Sequence, residues 1–175
     1  PTFEGFLFYG AIDEGRLLVM GELHKFGVVG PSRCFCCSDP SQETIDYIFC
    51  MGAAARQVWS FFEVLIGGFG EAFTIRHKVV SWWLKPGRGP YIRLLFRLLP
   101  SLICWNLWIA RNKFVFEGKL FTVKQVCDRV FLEFRESFDA QFREISIPCS
   151  SWPSFFDAVA GLGSVVNVVQ VRWKL

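Results

Sequence analysis

Histidine occurs only twice in these 175 residues, as His24 and His77, and each is followed by a lysine, which reads as a surface position and not as a catalytic one. No two aspartates are adjacent, which excludes the paired-Asp turn with which polymerases hold two metal ions. The glycine run Gly67-Gly68-Phe69-Gly70 lacks both the Lys and the following Ser or Thr of a phosphate-cradling loop. Asp128, Glu133, Glu136 and Asp139 alternate with Arg129 and Arg135 and read as solvated pairs on a helix surface. The chain is therefore read as a non-enzyme.

A membrane span and a secretion signal are lacking too. The apolar stretch from Tyr91 to Ala110 is broken by Arg93, Arg97, Pro100 and Asn106, too often for a spanning helix. Glu4, Asp13 and Glu14 stand where a signal peptide is basic. The expectation is an intracellular chain, nuclear or cytoplasmic, with no membrane and no small-molecule substrate. In that reducing setting the odd number of cysteines, 7, reads as thiols or metal ligands rather than disulfides. The chain opens on Pro1 and ends on Trp173-Lys174-Leu175, and both ends read as cut from something longer.

What is abundant is apolar and aromatic material. Hydrophobic residues make up 52% of the chain and Phe alone counts 20, which excludes disorder throughout. Charge is small in sum, +3, but uneven. Residues 1–75 carry 4 basic and 9 acidic side chains, net −5, whereas residues 76–135 carry 12 basic and 3 acidic, net +9. A block that basic suits contact with phosphate, or merely solvates the outer faces of amphipathic helices.

The periodicity predicts a mostly α chain. Leu17, Leu18, Met20 and Leu23 suggest a helix ending at Gly27, and Glu43 to Phe49 suits a short helix. Ala54, Val58, Phe61, Phe62 and Leu65 recur at helical steps over 53–66. Helices are predicted over 74–84 and 91–116, the latter kinked near Pro100. Thr122-Val123-Lys124-Gln125 is a capping box opening another. Pro148 to Pro153 reads as a linker and Val165 to Val171 as a lone strand. The resulting fold class is mostly α: a small helical domain with a cysteine knuckle in its N-terminal third and a truncated C-terminal strand. Three regions are drawn, 1–66 with the knuckle, 67–147 as a basic helical part of the same domain, and 148–175 as linker and the start of another domain.

The knuckle is the most informative motif. Cys34, Cys36, Cys37 and Cys50 fall within seventeen residues, and Cys34-x-x-Cys37 is the spacing with which one tight turn gives two thiolates to a tetrahedral metal. No histidine follows between Cys37 and Cys50. A second cluster, Trp105, Trp108 and Asn112, falls on one helical face beside Arg97, Arg111 and Lys113. The indoles are read as core anchors, with base stacking as the alternative. Trp82-Trp83 is read in the same way.

Several segments together resemble the zinc-binding domain that follows the reverse transcriptase in plant LINE-type (non-LTR) retrotransposons. They are Phe6-Leu7-Phe8-Tyr9, Gly15-Arg16-Leu17-Leu18, Leu23-His24-Lys25-Phe26-Gly27-Val28, the Cys34-x-x-Cys37 knuckle, Glu43-Thr44-Ile45-Asp46-Tyr47-Ile48-Phe49, Ala55-Arg56-Gln57-Val58-Trp59, and Pro100 to Asn112 followed by Phe116-Glu117-Gly118. Val171-Arg172-Trp173-Lys174 looks like the lead-in to an RNase H domain. The resemblance implies a zinc ion held by the Cys pair, a His and a later Cys. Here Tyr47 stands at the His position and Gly52 at the Cys position. A phenol with a pKa of about 10 is a poor zinc ligand near neutral pH, and glycine is none.

Three readings of the metal remain. Cys34, Cys37 and Cys50, with Cys36 or His24, rescue a site; or two ligands hold zinc weakly; or the site is a relic and the helices pack without metal, which is the reading favoured. The resemblance further implies RNA or DNA as partner, contacted through basic residues such as Arg93, Arg97, Arg111 and Lys113. The competing expectation is a spacer, or a decayed fragment that binds neither metal nor nucleic acid.

Overall fold

Ala53–Ile66 forms an α-helix, designated α1, over the bounds that its apolar spacing predicts. It belongs to a computed structural model that describes residues 10, 12, 17, 19, 23–27, 34, 41–66, 72–87 and 89–159. Four more helices follow among the described residues: α2 (Ile75–Trp83), α3 (Gly89–Glu117), α4 (Val123–Gln141) and α5 (152–159). The class is mostly α, as the periodicity predicts.

Each helix start is written locally. The Thr74 hydroxyl accepts from the His77 N–H at the start of α2. At the start of α4 the Thr122 hydroxyl accepts from the Gln125 N–H at 3.2 Å, while the Gln125 side chain accepts from the Thr122 N–H at 2.9 Å. These are reciprocal caps for donors that the first turn leaves unsatisfied. Gly118, at φ +65°, ends α3 in the left-handed conformation that glycine adopts without strain. Gly27, at φ +77°, likewise closes a 3-10 turn at His24–Phe26.

Pro100 does not break α3, which runs on for 29 residues. A proline inside a helix costs about 3 kcal/mol. Leu95, Leu99, Leu102 and Ile103 on either side of it are fully buried, and each contributes roughly 1.5–3 kcal/mol by leaving water, so burial wins. α3 is long and apolar enough to cross a membrane, but 61% of its most apolar window is buried inside the domain, as in a core helix.

α3 packs most extensively on α4, and α1 lies across both. One core runs from Ile12 to Val159 and draws on every helix. Its centre is aromatic: Trp152 meets Phe62, Phe131 and Phe134 with ring centroids 5.1–5.5 Å apart. Trp152 also donates its indole N–H to the Cys127 carbonyl at 3.0 Å. Residues 148–151 form an irregular, largely exposed connection, but Ile147 before it and Trp152, Phe155 and Val159 after it are buried in the same core, where the aromatic pair spaced three apart closes the gap between α1 and α4. The strand expected at Val165–Val171 lies outside the described residues, as do Cys36 and Cys37.

Candidate functional site

The Cys34 N–H donates to the Ser41 carbonyl at 2.8 Å. Residues 45–46 then start a helical turn that widens into a π-turn over Tyr47–Met51. Its bond runs from the Gly52 N–H to the Tyr47 carbonyl, five residues back. Such wide turns recur at functional sites, because they re-aim the side chains they carry.

The turn brings Tyr47 and Gly52 to one small cavity. Cys34 lies across it, and Leu107, Arg111 and Phe121 close the far side. The cavity holds about 20 Å³, room for one water or ion, since roughly 10–15 Å³ is the minimum. Positions 34, 47 and 52, which the family resemblance marks as ligand positions, therefore converge in space. The residues that occupy them supply one thiol and one phenol.

Cys50 does not join them. It is buried, and its Sγ donates to the Ala72 carbonyl at 3.0 Å, away from the cavity. Burial pushes its thiol pKa up, with Lys78 opposing. Of the expected set, Cys34 lines the cavity and Cys50 does not, while Cys37 lies outside the described residues. His24 sits in the exposed 3-10 turn and does not line the cavity either. Among the described residues no three His, Cys, Asp or Glu side chains are grouped to hold a metal. They do not fit the closed four-ligand site of structural zinc.

Instead, ion pairs and hydrogen bonds hold this segment to the helices. Glu43 is fully buried, and its carboxylate accepts from Arg111 Nη2 at 2.5 Å and Nε at 3.3 Å, a two-point pair across 68 residues of sequence. Asp46 accepts from the Ile75 N–H at 2.8 Å and so docks the start of α2. The Trp59 indole donates to the Phe49 carbonyl at 2.7 Å. Arg111 also lies 5.3 Å from the centre of the Trp108 ring and donates to the Asn112 side chain at 3.1 Å. Trp105 and Trp108 are half-buried against the core, as the anchoring reading has it.

Arg111 therefore leaves the expected phosphate-contacting set, since it is 5% exposed and its guanidinium is engaged by Glu43. The other three separate. Arg93 and Arg97 are exposed and line a groove of about 650 Å³ with Lys85 and Trp83. Lys113 lines another, of about 380 Å³, with Lys119, Asp128 and Arg129. At 100° per residue, Arg93 and Lys113 stand about 160° apart around α3, so no single face of that helix carries both.

Sequence reading missed Glu43 and Lys85. A glutamate just before an apolar helical segment hints at burial with a partner, but nothing local names a partner 68 residues away. Lys85 sits in a turn whose fold decides where it points.

Residues 6–59 match the family model described as zinc-binding in reverse transcriptase. That stretch holds Cys34, the π-turn and Trp59, hence the cavity's three converging positions. No curated protein and no solved structure matches the chain.

Proposed function

We propose that this chain is a non-catalytic, retrotransposon-derived module of a reverse transcriptase polyprotein, of the plant LINE type, placed between polymerase and RNase H. The match of residues 6–59 carries this reading. Its zinc site is degraded, and the module works inside the cell, nuclear or cytoplasmic, by contacting RNA or DNA through the basic surface of residues 76–135. The convergence of Cys34, Tyr47 and Gly52 on one cavity supports descent from a metal knuckle. The net charge of +9 over that middle block supports the nucleic-acid contact.

Such contact is electrostatic, tolerant of sequence and weakened by salt. In a mobility-shift series the full chain is expected to retard a mixed-sequence oligonucleotide at 50 mM salt and to lose at least tenfold in affinity by 200 mM. Absence of any shift at low salt removes the nucleic-acid role. It leaves the second reading, a protein-interaction spacer or decayed remnant, which the mismatched ligand positions and the internal pairing of Arg111 favour.

A further inference from the structure

The groove at the corner of α2 and α3 gathers cations. Arg93 and Arg97 stand four residues apart on one face of α3, both exposed. A like-charged pair at that spacing works against a helix. Lys85 joins them from the turn after α2, its Nζ held 3.3 Å from the Ile66 carbonyl and 5.6 Å from the Phe96 ring centre. Among the described residues no Asp or Glu lines this groove. The groove beside Lys113 differs: it includes Asp128, whose carboxylate pairs with Lys124 at 2.6 Å.

The corner is also shaped. A side chain at position 87 would bring its Cβ to 2.9 Å from Arg93 Cγ and 3.0 Å from the Arg93 nitrogen, so Gly87 lets the turn lie directly against the stem of Arg93. The Trp83 indole donates to the Arg97 carbonyl at 3.1 Å, which fixes its ring in the groove wall. Gln141 at the end of α4 adds an amide to the lining.

We propose that this groove binds the backbone of a single-stranded nucleic acid, with Arg93, Arg97 and Lys85 on phosphates and Trp83 against a base. This rests on the nucleic-acid reading above and names its surface. Guanidinium forks match phosphate oxygens in pairs. The concave form selects the single strand: duplexes are read by a convex helix or ribbon inserted into their own groove, whereas single strands lie in cationic channels flanked by aromatic rings.

The test is fluorescence anisotropy of the full chain with a labelled mixed-sequence single strand, competed by unlabelled single strand or by a duplex of equal length. Native protein is compared with Arg93→Ser/Arg97→Ser and with Lys113→Ser/Lys119→Ser, all checked by circular dichroism. The expected result is at least a tenfold loss in the first variant alone, with a salt slope shallower by about 1.4, two phosphates at roughly 0.7 each. The single strand is also expected to out-compete the duplex. Native-like binding by the first variant overturns the groove while leaving the nucleic-acid reading standing, and better competition by the duplex overturns the single-strand assignment. No binding by native protein overturns both.

Discussion

Glu43→Gln is expected to destabilise the domain by about 3–5 kcal/mol, because it keeps the shape of the side chain and removes only the charge that faces Arg111. Arg111 is 5% exposed and cannot recover its hydration without opening the fold. For a chain of this size the loss corresponds to a drop in Tm on the order of 10 °C. Arg111→Met is expected to act alike, since it strands the carboxylate instead. The double change Glu43→Leu/Arg111→Met is expected to regain much of the loss, because an apolar pair of similar volume needs no hydration. Urea unfolding followed by circular dichroism measures all three. A loss under 1 kcal/mol in Glu43→Gln shows that the pair is not what fastens the 41–52 segment to α3.

The second large effect is expected from Trp152→Ala, again about 3–5 kcal/mol, the range for deleting a buried Trp or Phe side chain. Trp152 is 3% exposed and meets Phe62 of α1 and both Phe131 and Phe134 of α4 edge-on or tilted. Its removal leaves a cavity between three helices and also takes the donor from the Cys127 carbonyl, a further loss of about 1 kcal/mol. The same unfolding experiment decides. A change smaller than 1 kcal/mol makes residues 152–159 an appendage, and the core then ends with α4.

Much of this fold was legible because its signals are local. The stripe over 53–66, the capping box at Thr122 and the stops at Gly27 and Gly118 lie within a few residues of the structure they direct. The π-turn was not legible, because a short apolar helical pattern does not distinguish turns of four from turns of five. That single unseen turn carries Tyr47 and Gly52 in the lining of the Cys34 cavity, and Cys50 on the Ala72 carbonyl. The packing after Pro148 was not legible for a different reason. Two prolines and two serines look like a linker, whereas the packing of Trp152 and Phe155 depends on helices far away in sequence. Arg111 misled in the same way, since an arginine on a predicted helix looks solvent-facing until its partner at position 43 is placed.

The physical sense of the Cys34 region follows from these contacts. In small zinc modules the metal supplies roughly 10 kcal/mol or more of apparent folding energy, and its loss abolishes the fold. Here the segment is tied to α1, α2 and α3 through Trp59, Ile75 and Arg111, and Phe49 and Cys50 within it belong to the same core as the helices. A domain so fastened is expected to fold without zinc.

Zinc content per chain tests this most directly. The full chain is expressed in zinc-supplemented medium, dialysed against metal-free buffer and measured by elemental analysis. The expected result is well under one zinc per folded chain, with the fold intact by circular dichroism. One tightly held zinc per chain, removed together with the fold by a chelator, contradicts the degraded site.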